Sequence, residues 1–273
     1  MKVNAKKILV NSIKILIILI VLFPFFWLLI SSFKHEKDIM SYPPKIFAAE
    51  YTLENYRKVM DYIPLLVYVK NTVIFSGGVV LAQLLLDSLA AYALARMEFK
   101  GKRVLSYIVL LTMMIPFQVY MIPLFIEENV MGILDTYAGL ILPRMVMPFG
   151  IFLMRTAFVS LPKNLEEAAR IDGMNEFGIF FKIMMPLCKP TLLTLGIITL
   201  MNNWNDLLYP LLLTSDVKKR TLAAGLALFT GENITKYGPV MAGTVISIIP
   251  LLIAYVFAQK YFVAGVAMTG SKE

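Results

Sequence analysis

Long apolar segments, separated by short polar ones, form the dominant pattern of this chain. The first of them carries no charged residue from Ile15 to Phe33. A helix needs about 20 consecutive apolar residues to cross ~30 Å of hydrocarbon. We therefore predict a single transmembrane domain, residues 1–273, built on six helices. Their approximate bounds are 15–33, 71–95, 104–126, 138–158, 187–208 and 240–259.

Two details of these segments affect the prediction. The first segment follows a basic leader with lysines at 2, 6, 7 and 14, which is also typical of a cleaved signal peptide. Its apolar run exceeds the roughly 7–15 residues of a signal core and no small-x-small site follows, so we expect a retained helix. Packed transmembrane helices tolerate proline, so we expect several of them to be bent. The prolines concerned are Pro24, Pro116, Pro123, Pro143 and Pro148.

Charge in the short connections predicts the orientation. The leader carries four lysines and no acid, and the 96–103 turn has four basic residues and one acid, a net charge of 4 − 1 = +3. The 127–137 loop has three acids and no basic residue, a net charge of −3. The positive-inside rule places the leader and the 96–103 turn in the cytoplasm. Both termini and residues 155–186 would then be cytoplasmic, with 34–70 and 209–239 outside.

Composition narrows the class of protein. Hydrophobic residues make up 59% of the chain and charged residues 16%, against roughly 25% charged in soluble domains. The net charge of +8 could suggest nucleic acid, but the basic residues lie between apolar runs, as membrane topology requires. One histidine and one cysteine, Cys188, offer no metal cluster and no disulfide, which argues against a membrane enzyme. A secondary transporter would need a coupling-ion site or inverted repeats, and neither is visible.

The loop between the fourth and fifth spans, about residues 160–186, is the most informative segment. Asn164 and Glu167 have capping-box spacing, which predicts a short helix over Leu165 to Ile171 that ends at Gly173. A second amphipathic stretch follows and stops at Pro186. Its apolar residues are Phe177, Phe180, Phe181 and Met184. The residues alone leave two interpretations open: these side chains pack onto the chain's own helix ends, or they enter a pocket on a soluble partner.

This loop resembles the EAA loop of the permease subunits of binding-protein-dependent ABC importers. That pattern is E-A-A, three residues, Gly, nine residues, then I-x-L-P. The matching residues are Glu167, Ala168, Ala169, Gly173, Ile183 and Pro186, and Asp172 also fits. Met185 stands in place of the leucine, a volume-conserving change.

The resemblance implies a role for each matching residue. In that family the loop is a pair of coupling helices that docks into a cleft on a cytoplasmic ATPase. Glu167 would then meet a basic group of the ATPase, Ala168 and Ala169 would allow close approach, and Gly173 would set the turn. The remaining residues expected to take part in coupling are Asp172, Phe177, Ile183 and Pro186.

Most of the chain resembles the carbohydrate-importer permeases, in particular the smaller permease of the maltose type. The segments that carry this likeness include PFFWLLISSFK, LPRMVMPFGIFLMR, WNDLLYPL and QKYFVAGVAMTGSK. The resemblance implies an all-α membrane protein with the type I importer fold, in the bacterial cytoplasmic membrane. It also implies a second permease as heterodimer partner, two ATPase subunits, an extracellular solute-binding protein and a sugar substrate. The chain has no G-x-x-x-x-G-K-[ST] phosphate loop, so we expect no cofactor here and ATP and Mg on the ATPase.

Polar residues inside the predicted spans have two possible roles. Asn202, Asn205, Asp206 and Tyr209 fall on one face of an ideal helix, with Trp204 on the other side. They could bind sugar hydroxyls or join helices by hydrogen bonds. Asp87, one turn after Gln83, is expected to face protein and make a structural hydrogen bond.

Arg144 lies seven residues into the fourth span, ~10 Å deep at 1.5 Å per residue. It could snorkel to the outer interface or line the pathway, where it would suit an anionic sugar. Outside the membrane, charged residues flank the apolar stretch 222–229 of the 215–239 loop. The maltose-type family implies that this loop reaches the solute-binding protein. The candidate contacts are Phe229, Thr230, Gly231 and Glu232.

Overall fold

The structure is a computed structural model that describes residues 5–230 and 235–270. Lys2 of the predicted leader and the candidate contacts Gly231 and Glu232 lie outside the described residues. The helices are α1 (Ala5–Ser32), α2 (Glu36–Ile39), α3 (Glu54–Tyr62), α4 (Leu65–Arg96), α5 (Lys102–Thr112), α6 (Phe117–Met131), α7 (Tyr137–Ile141), α8 (Pro148–Ser160), α9 (Asn164–Ile171), α10 (Glu176–Ile179), α11 (Met185–Leu187), α12 (Lys189–Trp204), α13 (Leu208–Leu213), α14 (Leu222–Leu226) and α15 (Tyr237–Gly270). Single-turn helical segments cover Leu142–Arg144, Phe180–Met184 and Ala227–Phe229.

Three helices among the described residues are long and apolar enough to cross a membrane. They are Leu9–Ser32 within α1, the whole of α4, and Tyr237–Phe257 within α15. Three bent pairs also pass the test of length and composition: α5 with α6 at 99°, Tyr137–Arg144 with α8 at 45°, and Glu176–Leu187 with α12 at 80°. By length and composition, the described part of the chain therefore has three candidate spans, or up to six if each bent pair counts as one.

Proline explains two of the three bends. Pro116 precedes α6, and the chain between α5 and α6 leaves the helical path there because proline disfavours a helical residue before it. Pro148 acts in the same way at the break before α8, where Met147 is extended, whereas Pro143 lies within the helical segment that precedes the break. Pro24 and Pro123, by contrast, lie inside continuous helices, so proline alone does not fix where a helix breaks.

The chain forms two compact units. The first comprises Met1–Leu65 with Gly225–Ile249, and the second comprises Leu66–Ala224 with Pro250–Glu273. In the first unit, Glu36 accepts hydrogen bonds from the backbone N–H groups of Tyr237 (2.8 Å) and Gly238 (3.0 Å), which caps the start of α15. Gly238 has no room for a side chain because Asn55 lies directly against it.

The second unit has an apolar core that the 160–186 loop helps to form. Ala91 and Tyr92 of α4, Met154 and Phe158 of α8, and Phe180 of the loop are all buried in it. Tyr92 packs edge-on against Phe158, with ring centroids 5.8 Å apart, and also contacts Phe180 at 5.4 Å. The loop is therefore part of the folded core of this unit, rather than a separate appendage.

Candidate functional site

The loop contains two helical segments joined by a sharp turn. The first is α9, and Gly173 follows it with a left-handed φ of +81°, which places glycine where the chain reverses. Asn175 then caps the second segment, since its side chain accepts a hydrogen bond from Gly178 N at 2.8 Å. The predicted helix and its end at Gly173 agree with the structure. The cap at Asn175 was not predicted. Asparagine is a preferred residue at the start of a helix, so its position before the second segment could have indicated the cap.

The predicted capping box at Asn164 is wrong. Lys163 is the cap residue, and its carbonyl accepts from Glu166 N (3.1 Å) and Glu167 N (3.2 Å). Because the helix begins one residue earlier than predicted, Asn164 is already helical and its side chain makes no cap hydrogen bond. The second stretch also continues through Pro186 to Leu187 instead of stopping at the proline. Proline is tolerated there because it lies in the first turn of α11.

The apolar residues of the loop divide between two surfaces. Phe180 and Met184 are buried at 1% and 0% exposure in the chain's own core, with Ile183 packed against it. Phe177 and Phe181 are 68% and 49% exposed, and so is Ile171 at the end of α9, at 86%. The first interpretation, packing onto the chain's own helices, holds for the buried residues, and contact of the exposed ones with a soluble partner stays a prediction. Leu165 is also exposed, at 38%, so four apolar side chains of the loop lie on the surface of the chain.

The E-A-A residues also divide between inside and outside. Glu167 and Ala168 are exposed, as are Asp172 and Pro186, whereas Ala169 is 5% exposed and packs in the core. Ala169 lies three residues after the buried Glu166, so the two side chains share the inner face of α9. The expectation that Ala169 contacts a partner is therefore corrected: its small side chain lets α9 lie close to the rest of its own chain.

A buried ion pair holds α9 to the rest of the unit. Arg96 Nε, at the end of α4, lies 3.0 Å from Glu166 Oε1, and both side chains are 4% exposed. The same guanidinium donates hydrogen bonds to the carbonyls of Phe158 and Leu161, each at 2.5 Å. One arginine therefore joins α4, the end of α8 and α9. In the sequence Arg96 belongs to the predicted 96–103 turn, and no local signal distinguishes Glu166, the acid directly before the E-A-A match.

A second set of contacts joins the two helical segments of the loop. Arg170 Nε donates to Glu176 Oε1 at 2.8 Å, and Tyr92 of α4 donates to Glu176 Oε2 at 2.7 Å. The hydrogen bond from Arg170 has the largest effect on the Glu176 carboxyl and lowers its pKa below the ordinary value. The hydrogen bond from Tyr92 acts in the same direction. The same carboxylate raises the pKa of Arg170. The loop is thus fixed to α4 at two places, by Arg96 and by Tyr92.

Arg144 is paired with the acidic residue of the predicted polar stripe. Its Nη2 donates to Asp206 Oδ2 at 2.5 Å and its Nη1 to Asn203 Oδ1 at 2.8 Å. Its guanidinium also lies 3.8 Å from the ring centroid of Tyr209. The Arg144 and Asp206 side chains are 18% and 19% exposed. The snorkelling interpretation of Arg144 is therefore wrong, because the side chain turns into the unit towards a carboxylate.

The polar stripe itself does not exist as predicted. Helix α12 ends at Trp204 and α13 begins at Leu208, so residues 202–209 are not on one continuous helix. Asn202 and Asn205 are exposed, whereas Trp204 and Tyr209 are buried. Asp206 Oδ1 accepts from Tyr209 N at 3.1 Å, and Tyr209 donates to the carbonyls of Gly139 (3.1 Å) and Leu140 (3.2 Å). Asp206 and Tyr209 join helical segments to one another, which is the second role considered for them.

Further hydrogen bonds link this site to α4. Gln83 donates to the carbonyl of Arg144 and accepts from Thr199 Oγ1, each at 2.8 Å. Asn203 Nδ2 donates to the carbonyl of Thr199 at 2.8 Å. One turn beyond Gln83, Asp87 is fully buried and its Oδ1 accepts from Met147 N at 3.0 Å. The prediction that Asp87 makes a structural hydrogen bond is confirmed, and the sequence analysis missed Asn203 and Thr199.

The residues predicted to contact the solute-binding protein differ in their exposure. Phe229 is 4% exposed, and its ring centroid lies 5.1 Å from that of Tyr62. Its side chain therefore packs against α3 and is not available for contact with a partner. Thr230 is exposed. Across residues 5–230 and 235–270, no group of three or more His, Cys, Asp or Glu side chains is arranged to hold a metal ion.

Comparisons with known proteins give a consistent result. Residues 87–268 match the family model described as "Binding-protein-dependent transport system inner membrane component". The chain is 36% identical over 256 residues to the arabinooligosaccharides transport system permease protein AraQ of Halalkalibacterium halodurans, covering 93% of this chain and 92% of AraQ. It is also 36% identical to the trehalose/maltose transport system permease protein MalG of Thermococcus litoralis, covering 95% of each.

A solved structure extends this comparison to the fold. The chain superposes on a bacterial ABC transporter involved in the import of the acidic polysaccharide alginate with a TM-score of 0.80 and 26% sequence identity. The match covers 96% of this chain and 99% of the matched chain. The similarity therefore extends over nearly the whole of both chains.

Proposed function

The chain belongs to the family of binding-protein-dependent transport system inner membrane components, and from that premise we propose how it works as the permease subunit of a sugar importer. It is a multi-pass membrane protein, and its relatives AraQ and MalG are permeases for arabinooligosaccharides and for trehalose and maltose. We propose that this chain, paired with a second permease, translocates a sugar or oligosaccharide delivered by an extracellular binding protein. ATP and Mg would be bound by separate ATPase subunits.

The observation that carries the proposal is the two-sided structure of the 160–187 loop. Its inner side is held by the buried Arg96–Glu166 pair and by Phe180 in the core. Its outer side presents Ile171 and Phe177, both largely exposed, beside the exposed carboxylate of Glu167. Apolar side chains rimmed by charge are typical of a protein–protein interface. This surface suits docking to a soluble ATPase whose contact site has an apolar pocket and a basic group.

The same structure suggests how movement would reach the membrane. A shift of the docked loop acts on α4 through Arg96 and through Tyr92, because both side chains bond directly to loop residues. Helix α4 in turn carries Gln83, which holds the backbone of Arg144, and Asp87, which holds the start of α8. We propose that closure of the ATPase pair moves α4 and α8 together, and that this exposes the substrate pathway alternately to each side.

The proposed orientation follows the charges. The leader, the 96–103 turn and the loop at 160–187 face the cytoplasm, as do both termini. The exposed Thr230 would face the extracellular binding protein, and Phe229 is buried against Tyr62. Gly231 and Glu232 remain proposed contacts outside the described residues. Arg144 is balanced by Asp206, so its charge supports the arrangement of the helices more directly than the selection of an anionic sugar.

Copurification tests the proposal most directly. The tagged chain, expressed with its neighbouring transport genes, should bring down a second permease and an ATPase in constant proportion. Vesicles containing this complex should take up sugar only when ATP is inside and the loaded binding protein is outside. Recovery of the chain alone, together with sugar uptake that needs no ATP, would contradict the proposal.

A further inference from the structure

Glu128 is a buried acid without a partner. It lies in the last turn of α6 and is 1% exposed. Neither of its carboxyl oxygens has a hydrogen-bond partner among the residues that the structure describes. The similarly buried Glu166 differs in this respect, because its oxygens lie 3.0 Å from Arg96 and 3.5 Å from Arg170. A buried polar group that stays unpaired needs an explanation of its own.

The surroundings of the Glu128 side chain are apolar. Leu124, one turn earlier on α6, packs against the core cluster that contains Tyr209. Oε2 of Glu128 lies against Gly139 in α7, where a Cβ would be 2.7 Å from that oxygen and 2.5 Å from the carbonyl oxygen of Ile133. Glycine at 139 therefore lets α7 approach α6 closely, and the carboxyl group is enclosed at this contact.

Two features of α6 itself disfavour a negative charge on Glu128. The C-terminal end of a helix carries partial negative charge, and Glu128 lies three residues before the end of α6. Its neighbour Glu127 is exposed and carries a charge of the same sign. Both effects add to the cost of burying an ionised carboxylate.

The charged and titratable groups around α7 are engaged with other partners. Tyr137 of α7 donates to Asn71 Oδ1 at 2.7 Å, and Lys219 Nζ lies 3.8 Å from the centroid of the Tyr137 ring. In the loop before α7, Asp135 Oδ1 accepts from the backbone N–H groups of residues 215 and 216, at 2.6 and 2.7 Å. These groups bind the segment that follows α13, and none of them neutralises a charge at the end of α6.

The same holds for the groups on α13 and α4. Tyr209 donates to two carbonyl groups of α7, and Arg144 pairs with Asp206. Lys70, near the start of α4, is exposed. Within the described part of the chain, none of these side chains forms a hydrogen bond or an ion pair with Glu128.

We propose that Glu128 binds a proton and that its uncharged carboxyl group holds α6 against α7. A carboxylate with this burial and no compensating charge is more costly than the neutral acid, so the group stays protonated in mildly acidic to neutral solution. The charges of the connections place residues 127–137 outside, so the proton exchanges with the extracellular solution.

Loss of this proton has a structural consequence. In alkaline solution the ionised carboxylate moves away from Gly139 towards water and loosens α7, whose carbonyl groups bind Tyr209. The site goes beyond the transport function, since it depends only on the packing of α6 with α7.

Infrared difference spectroscopy on the purified complex of this chain with its partner subunits tests the protonation directly. The spectrum of the unmodified complex minus that of Glu128→Gln should show the carbonyl band of a protonated carboxyl group at about pH 6. This band should give way to carboxylate bands as the pH is raised to about 9. Carboxylate bands already present at about pH 6 would overturn the proposal.

The pH dependence of thermal stability gives an independent test. The folded chain binds this proton more tightly than the unfolded chain, in which a glutamate titrates at about pH 4.3, so stability is lost as the pH rises. Between about pH 5 and about pH 9, the melting temperature of the unmodified complex should fall by roughly 5 °C more than that of Glu128→Gln. Glu127→Gln, adjacent in sequence and exposed, is the matched control and should show the same fall as the unmodified complex.

The comparison in acidic solution decides whether Glu128 is uncharged in the folded protein. Glu128→Gln keeps the size of the uncharged side chain, so it should assemble and match the stability of the unmodified complex at about pH 5. Its failure to assemble would overturn the proposal, and so would equal pH dependence of the Glu128→Gln and unmodified complexes. Loss of the pH dependence in Glu127→Gln would overturn it too, because the sensitive group would then be an exposed carboxylate.

Discussion

The guanidinium of Arg96 and the carboxylate of Glu166 form an ion pair of 3.0 Å, and both side chains are almost completely buried. The pair connects the last turn of α4 with the helix that carries the E-A-A match. Burying two charges is costly, and the pair is favourable only when each partner is satisfied. The two carbonyl groups that also accept from Arg96 help to meet that condition. The pair is therefore one of the contacts that fix α9, together with the hydrogen bonds that Glu176 accepts from Arg170 and Tyr92.

Removing one member of the pair should be strongly destabilising. Glu166→Gln leaves the buried guanidinium of Arg96 without a carboxylate, at a cost of about 3–5 kcal/mol. Arg96→Gln should cost less, because Glu166 keeps Arg170 Nη2 at 3.5 Å. We expect the purified complex to melt at a lower temperature and its ATPase activity to lose its dependence on the binding protein. Glu98→Gln, two residues beyond Arg96 and exposed, is the control and should leave the melting temperature unchanged. Singly substituted complexes as stable as the control would show that the pair does not anchor α9.

Two phenylalanines of the loop, Phe177 and Phe180, allow docking to be separated from folding. Phe180→Ala should cost about 3–5 kcal/mol, since it empties space in the core beside Tyr92 and Phe158. Phe177→Ala should leave the stability of the permease pair unchanged, because the side chain is 68% exposed. It should instead reduce recovery of the ATPase subunits after purification. If Phe177→Ala retains the full amount of ATPase, the apolar surface of the loop is not the docking site.

The effect of a substitution at Gly173 should depend on whether the new residue can adopt a positive φ. Its φ of +81° is accessible to asparagine but costs an ordinary residue roughly 1–2 kcal/mol. No neighbouring atom lies within 4 Å of the position a Cβ would occupy, so strain and not collision should decide the outcome. We expect Gly173→Val to uncouple ATP hydrolysis from uptake while Gly173→Asn keeps most of the activity. Equal activity of the two variants would mean that the turn can adopt another conformation.

Asp206→Asn tests whether the Arg144 site is structural. The substitution keeps the size of the side chain but removes its charge, and a hydrogen bond to a charged group contributes about 1.5–3 kcal/mol. We expect lower thermal stability, with the ranking of sugars in an uptake assay unchanged. The double variant Arg144→Gln with Asp206→Asn should lose less stability than the sum of the two single variants, because the pair acts as a unit. A changed sugar ranking would assign the site to the substrate pathway instead.

Features that depend on residues close together in the sequence could be predicted from the sequence. The end of α9 could be predicted because Gly173 follows it closely in the sequence. The hydrogen bond of Asp87 could be predicted because a carboxylate inside a span requires a partner. The polar stripe at 202–209 failed because helical spacing holds only within one helix, and the chain breaks after Trp204. Glu166 and Asn203 were missed for another reason: their partners, Arg96 and Arg144, lie far away in sequence and become neighbours only on folding.

The 80° angle between Glu176–Leu187 and α12 has a mechanical consequence. A segment that runs nearly perpendicular to a helix behaves as a lever arm attached to its end. Twelve residues at about 1.5 Å per residue give an arm of roughly 18 Å, so turning α12 by about 5° about its own axis would sweep the far end, at Glu176, through about 1.5 Å. Conversely, a force applied at Glu176 perpendicular to this arm exerts a torque on α12. A straight connection between the two helices would transmit a push along the axis, but it would have no arm with which to twist α12.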